Sequence, residues 1–291
     1  MAEARRGRVQ GGARPSGLLK VALPAKGRLR EPAFHLLEDA GLGPEQPGDR
    51  ALAFPCRNAP VEVLLVRAAD IPEYVQDGVV DCGITGLDLV RERGADVHEL
   101  LALGFGSCRL EAAVPEESSV RRFEELAGAS VATVYPKLTR ELLPVDVTLV
   151  DVTGSVEIAP RLGLADAIVD LVSSGNTLRT NGLRSLGVLL ESEAVLVAGD
   201  SEVGEPFAAM LRAVVEARRH RYLMLNAPES SLEAIAGLVA PRVPSVLPLA
   251  EAGMVAVHAL VPAADIWRLL PELEALGGSS ILVVPVERIA A

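Results

Sequence analysis

Gly163-Leu-Ala-Asp-Ala-Ile-Val-Asp-Leu-Val-Ser-Ser-Gly-Asn-Thr177 decides how the rest of this chain is read. Ala167 to Val172 is an apolar run rich in branched residues and broken only by Asp170, the pattern of a buried strand in an α/β sheet. Ser173-Ser174-Gly175-Asn176-Thr177 follows at once, and Leu178 to Leu183 can open a helix. A strand that runs into a small, hydroxyl-rich loop at a helix N-terminus suits an anion, because free backbone N–H groups and the helix dipole favour phosphate. Gly175 permits close approach of the backbone, while Ser173, Ser174 and Thr177 carry hydroxyls to donate. Asp170, just ahead of the loop, suits sugar hydroxyls or a magnesium ion rather than the phosphate itself. The same five loop residues are also ordinary turn composition, so by themselves they leave turn and anion site open. With Asp170 they suggest a site for a phosphorylated sugar.

Outward from this stretch the chain alternates strand and helix. Leu19 to Leu23, Pro60 to Arg67 and Val79 to Ile84 read as strands, with helices over Glu31 to Ala40, from Asp70 onward and over Leu87 to Arg93. This is βαβ logic, with a mostly parallel sheet and ligands at the strand ends. Leu110 to Val114, Ser130 to Tyr135 and Thr148 to Asp151 read as strands of a second lobe. Helices are expected over Val120 to Leu126 and from Ser155 through Leu162, and a long one over Pro206 to Arg219. From Tyr222 the order is βαββαβ, the ferredoxin-like unit, which by itself says little about role.

Composition narrows the classes. The 291 residues are 49% hydrophobic, enough for two or three compact units, and no apolar run reaches membrane-span length. A formal charge of −11 argues against a nucleic-acid surface but leaves room for a local basic pocket around a nucleotide. Cys56, Cys82 and Cys108 have no Cys-x-x-Cys spacing, so a disulfide framework or zinc site is not expected and a cytoplasmic setting is. Residues 1–17 hold four arginines and no apolar segment, the composition of a disordered extension rather than a secretory signal.

Thr153 to Leu183 as a whole closely resembles the phosphoribosyl-pyrophosphate segment of the ATP phosphoribosyltransferase family. Leu19-Lys-Val-Ala-Leu-Pro-Ala-Lys-Gly-Arg-Leu-Arg30, Asp81-Cys-Gly-Ile-Thr-Gly86, Gly104-Phe-Gly-Ser-Cys-Arg109 and Val131-Ala-Thr-Val-Tyr-Pro136 resemble the same family in its order, and the likeness covers Leu18 to Ile289. The resemblance implies a two-lobed catalytic domain of the periplasmic-binding-protein-like (type II) kind. Lobe I would take 18–104 with 190–216 returning to it, lobe II 105–189, and a ferredoxin-like regulatory domain 217–291. It implies transfer of the 5-phosphoribosyl group from phosphoribosyl pyrophosphate to N1 of ATP with release of pyrophosphate, the first step of histidine biosynthesis. It also implies Mg2+ as cofactor, histidine as allosteric inhibitor and a homo-oligomer between dimer and hexamer.

Residue by residue, the family segments place phosphoribosyl pyrophosphate on Ser173, Ser174, Gly175, Asn176 and Thr177, with Asp170 as the ribose contact and ligand of substrate-borne magnesium. Asp166, four residues earlier on the strand and roughly 13 Å away, cannot share that sugar and reads as a junction residue. Glu157, read as helical, would by position alone be solvated; the resemblance gives it a ribose-side contact. Lys26-Gly27-Arg28 could be a solvated basic turn, but the likeness assigns it, with Arg67, Gly86 and Arg109, to ATP or pyrophosphate. Asn226, Ser245 and Glu251 fall in segments that resemble the effector site for histidine, though Ser245 and Glu251 could equally be loop residues. The competing class is a two-lobed solute-binding protein without catalysis, against which stand the phosphate loop and the absence of a secretion signal.

Overall fold

The computed structural model describes residues 17–45, 48, 51–152, 154–173 and 175–290; residues 1–16 of the expected extension over 1–17, and Ser174, lie outside them. The chain begins with β1 (Leu19–Pro24), α1 (Arg30–Asp39), β2 (Ala53–Pro55), β3 (Val61–Val66), α2 (Ile71–Gln76), β4 (Cys82–Gly86), α3 (Leu87–Arg93) and β5 (His98–Ala102). It then crosses to a second sheet with β6 (Cys108–Pro115), β7 (Ser130–Thr133), α4 (Pro136–Leu142), β8 (Thr148–Asp151), β9 (Ala167–Val172), α5 (Asn176–Thr180) and β10 (Leu183–Ser192). β11 (Ala194–Ala198) returns to the first sheet and leads into α6 (Ser201–Arg218).

The two sheets follow one plan. The first runs β2-β3-β1-β4-β11-β5 and the second β10-β6-β9-β7-β8. Leaving aside the edge strand β2, each reads second, first, third, insert, fourth. The insert, β11 or β6, is antiparallel to its neighbours and is the first strand laid down after the chain has crossed. The other strands are parallel, so their C-terminal ends and the loops that follow them gather on one edge, where ligands of open α/β sheets bind. This is the two-lobed architecture the family resemblance implied.

Each sheet buries apolar residues on both faces, as strands flanked by helices must. On the second sheet, Leu110, Ala112, Val131 and Val169 face one cluster, while Ala113, Ala132, Ile168 and Val172 face another closed by Val156, Ala159 and Leu178. The lobes are tied together by buried polar contacts. Asp88, 1% exposed at the start of α3, accepts hydrogen bonds from Tyr135 Oη (3.0 Å) and Ser192 Oγ (2.6 Å). Burial, reinforced by the Asp88 carboxylate, raises the Tyr135 phenol above its ordinary pKa. Glu92 on α3 caps α4, accepting from the N–H of Lys137 (3.0 Å) and Leu138 (2.9 Å).

The chain divides into two compact units, up to Ala208 and from Ala209. The second unit contains β12 (His220–Pro228), α7 (Leu232–Val239), β13 (Ser245–Pro248), β14 (Met254–Pro262), α8 (Ile266–Ala275) and β15 (Ser279–Pro285). Its antiparallel sheet runs β13-β14-β12-β15, the ferredoxin-like order, and packs Leu223, Leu225, Val257 and Val261 against Ile235, Leu269 and Leu273 of its helices. No helix among the described residues is long and apolar enough to cross a membrane.

Two helices expected from sequence are shorter. Val120 to Leu126 holds only the 3-10 turn Phe123–Leu126. Ser155 to Leu162 holds the 3-10 turn Val156–Ile158, because Ser155 is left-handed (φ 50°) and Pro160 has no N–H to continue the ladder. α6 starts at Ser201 rather than Pro206, since Asp200 Oδ1 caps it by accepting from Glu202 N at 2.8 Å.

Candidate functional site

The loop that follows β9 leads into α5, which opens at Asn176 rather than Leu178 and ends at Thr180, before Leu183 begins β10. Gly175 is left-handed, with φ 72°, and forms the N-cap of α5. That conformation costs a residue with a Cβ about 1–2 kcal/mol, and only three residues separate the end of β9 from the start of α5. A small hollow of about 120 Å³ lies under the turn, lined by Glu157, Asp170, Ser173, Gly175 and Thr177. Glu157 reaches it from the 3-10 turn, not from a helix. Asn176 opens α5 but its Oδ1 faces Arg179 Nη2 at 3.4 Å, and it is not part of the lining.

Asp170 is half-buried, and Leu171 N–H donates to its Oδ1 at 2.8 Å. Burial, helped by the nearby Glu157 carboxylate, raises its pKa above the ordinary carboxylate value against the pull of that N–H. Asp166 goes the other way. Ser130 donates to its Oδ2 from Oγ (2.6 Å) and N (2.8 Å), and these bonds hold it below the usual range. Asp166 pins β9 to β7 as a junction residue, well away from the loop.

Asp170 belongs to a row of cross-strand pairs on one face of the second sheet. Ala113 stands opposite Ile168, Glu111 opposite Asp170 and Arg109 opposite Val172. The face thus passes from apolar core to carboxylates to a guanidinium at the rim. Glu111 is 5% exposed, and its Oε1 meets Arg109 Nε at 2.9 Å. The alternation Cys108-Arg-Leu-Glu-Ala was the signal for Glu111, because residues two apart on a strand share a face. Arg109 lines a second hollow of about 450 Å³, together with Ser107, Glu191, Glu193 and Ser173. Ser173 borders both hollows, which therefore adjoin.

On the first lobe, the loop after β1 borders a hollow of about 690 Å³ lined by Lys26, Gly27, Arg28, Arg30 and Glu31. Arg28 is already engaged. It donates to the Gly106 carbonyl and, at 3.0 Å, to Cys108 Sγ, and so braces the segment where the chain crosses between lobes. Arg67 follows β3 but lies outside the linings of these hollows. Gly86 was expected to face a nucleotide. It is buried instead, and the space a Cβ would take is filled by Asp88 Oδ1. Its glycine is explained by that carboxylate. Cys82 is buried packing, its thiol pushed up to about 12 by burial and Asp81.

In the second unit the three effector candidates do not converge. Asn226 and Ser245 share the sheet face opposite the helices, but β14 runs between their strands. Glu251 sits in the turn between β13 and β14, where its carbonyl accepts from Met254 N at 3.2 Å.

Comparison with known proteins supplies the context for this geometry. The family model described as ATP phosphoribosyltransferase matches residues 67–217, and that of the HisG C-terminal domain matches 217–288. An ATP phosphoribosyltransferase of Natronomonas pharaonis is 44% identical, over 93% of this chain and 99% of its own length. One of Gemmatimonas aurantiaca is 45% identical, over 94% and 99%. Among solved structures, a chain of the ATP phosphoribosyl transferase (HisG:HisZ) complex from Thermotoga maritima superposes with a TM-score of 0.59 at 27% identity. It covers 68% of this chain and 99% of that one.

Proposed function

The chain belongs to the ATP phosphoribosyltransferase family, and from that premise we propose how its residues divide the reaction. The enzyme transfers the 5-phosphoribosyl group from phosphoribosyl pyrophosphate to N1 of ATP and releases pyrophosphate, in the biosynthesis of histidine. The observation that carries the division of roles is the hollow in which Glu157, Asp170, Ser173, Gly175 and Thr177 meet. The loop holds the 5′-phosphate, through backbone N–H groups and the Ser173 and Thr177 hydroxyls. Asp170 and Glu157 accept the ribose hydroxyls. Arg109 and, across the cleft, Lys26 face the pyrophosphate and the triphosphate.

Adenine N1 carries its own lone pair, so no strong base or covalent nucleophile is required. Displacement at the anomeric carbon builds positive charge on the ribose and negative charge on the departing pyrophosphate, and positioning with electrostatics does most of the work. Among the described residues no three His, Cys, Asp or Glu gather as a metal cluster. One or two carboxylates beside substrate phosphates are nonetheless the usual protein share of a magnesium site. Asp170 fits that share, and the ion would arrive with the pyrophosphate and neutralise its charge.

We further propose that free histidine binds the C-terminal unit and inhibits without competing with phosphoribosyl pyrophosphate, through differential affinity for two states of a dimer-to-hexamer assembly. Three buried free thiols support a reducing cytosol as its place of work. Incubation with ATP, phosphoribosyl pyrophosphate and magnesium tests the catalytic reading by release of pyrophosphate; no release from the folded enzyme overturns it. A truncation ending at Ala217 should lose histidine sensitivity, and inhibition that persists there, or competes with substrate, places histidine in the cleft instead.

A further inference from the structure

Glu111 has no place in the reaction as described, yet it is one of two carboxylate residues among the buried described residues. The other, Asp88, is held by two hydroxyl donors. Glu111 stands directly opposite Asp170 on the neighbouring strand. Like charges in that position destabilise a sheet, and a buried carboxylate is tolerated only when paired. Its partner is Arg109, two residues earlier on the same strand face, which forms an ion pair with it through Nε.

The choice of atom matters. Nε is the atom that faces Glu111 in this ion pair, at 2.9 Å, while neither Nη of Arg109 makes a hydrogen bond among the described residues. The Arg109 side chain is about half exposed (46%) and lines the hollow that Ser173 also borders. Asp170, for its part, has no cation paired with it among the described residues. A guanidinium on a flexible stem, opposite Glu191 on β10 and beside Glu111 and Asp170, could close on any of these carboxylates. If it closed on Asp170, it would occupy the oxygens needed for the ribose and leave Glu111 buried without a partner.

We propose that Glu111 is a positioning residue: it anchors Arg109 by Nε, keeping both Nη groups on the hollow beside Ser173 for a pyrophosphate oxygen pair and keeping Asp170 clear for the ribose. This deepens the reading of the loop as the phosphoribosyl pyrophosphate site and rests on it. A guanidinium held in this way presents a preorganised fork to phosphate oxygens.

The test is a four-cornered cycle of wild type, Glu111→Gln, Arg109→Met and the double variant, followed by steady-state kinetics and by thermal unfolding. Glu111→Gln should lower kcat/KM for phosphoribosyl pyrophosphate roughly tenfold, mostly through KM. The double variant should be no worse than Arg109→Met, because Glu111 acts only through Arg109. Arg109→Met should lower Tm by stranding a buried carboxylate, and adding Glu111→Gln should recover part of that loss. Arg109→Lys, which keeps the charge without the fork, should behave kinetically like Glu111→Gln and serves if another variant does not fold. Wild-type KM in folded Glu111→Gln, fully additive kinetic losses, or coupling seen in Tm alone would each overturn the proposal. A wild type that releases no pyrophosphate would instead fail the substrate reading, and the Tm cycle would still report on the pair.

Discussion

In the first sheet the loop after the leading strand is Ala25-Lys26-Gly27-Arg28, two cations around a glycine. In the second, the loop after the third strand is Ser173-Ser174-Gly175-Asn176-Thr177, hydroxyls and an amide around a glycine with an acid just behind. Both glycines are left-handed, at φ 87° and 72°, and both sheets run second, first, third, insert, fourth. The scaffold therefore repeats while the chemistry at its strand ends does not. A fold supplies places, and the residues in them supply function. On the roles proposed above, one lobe would offer charge to a polyanion and the other shape and hydrogen bonds to a sugar phosphate.

The hardest blow to this comparison falls at Asp170, the acid that only the second lobe carries behind its loop. Asp170→Asn should cut turnover by roughly 100-fold, about 2.7 kcal/mol of transition-state stabilisation. Stability should not fall with it. The folded state raises the pKa of Asp170, so the native protein binds more protons than the unfolded chain, and stability drops as pH rises from the unfolded pKa through the folded one. Removing the charge lifts that penalty at neutral pH. Turnover near wild type, or a clear loss of Tm at pH 7, would deny the second lobe its special role.

The next largest effect concerns what joins the lobes. Tyr135→Phe removes one of the hydroxyl donors to buried Asp88, at a cost of roughly 1.5–3 kcal/mol. Thermal unfolding should report a Tm several degrees lower. An unchanged Tm would mean that the lobes do not depend on that contact. Gly175→Ala comes third. It forces a Cβ into the left-handed region at about 1–2 kcal/mol, and the loop should respond by opening. Calorimetric affinity for phosphoribosyl pyrophosphate should fall roughly tenfold; retained affinity would mean that the loop does not hold the phosphate.

Much of this was legible in sequence, for physical reasons that differ by residue. The strand Ala167–Val172 announced itself because six consecutive positions are apolar or branched apart from Asp170. The ferredoxin-like order of the second unit was legible because its strands alternate and its helices have clear stripes. The turn at Ser155 was not, since an apolar stripe at helical spacing hides a left-handed start. Gly86 misled because a glycine at a strand end looks the same whether a ligand or a side chain fills its space. Asp88 meets Tyr135 47 residues later and Ser192 104 residues later, and no local pattern encodes such pairs. Glu111 stood in plain view two residues from Arg109, but only the register of β6 against β9 brings it opposite Asp170.

The smallest effect is also the sharpest probe of charge against shape. Lys26 lines the open hollow of the first lobe, where on the proposed reading a cation would attract a triphosphate through water more than through fixed geometry. At physiological ionic strength the screening length is about 8 Å, so an exposed contact of this kind contributes on the order of 0.5–1 kcal/mol. Lys26→Met should therefore raise KM for ATP only about threefold, with kcat unchanged. The dependence on salt is the informative part. In low salt the difference between variant and wild type should widen, and near 1 M it should vanish, because the lost interaction is long-ranged and solvated. The Gly175→Ala defect should stay constant across the same series, because backbone strain is blind to ions. If instead the Lys26 defect held steady in high salt, Lys26 would be making a close, desolvated contact. The first lobe would then grip its polyanion by geometry as the second does.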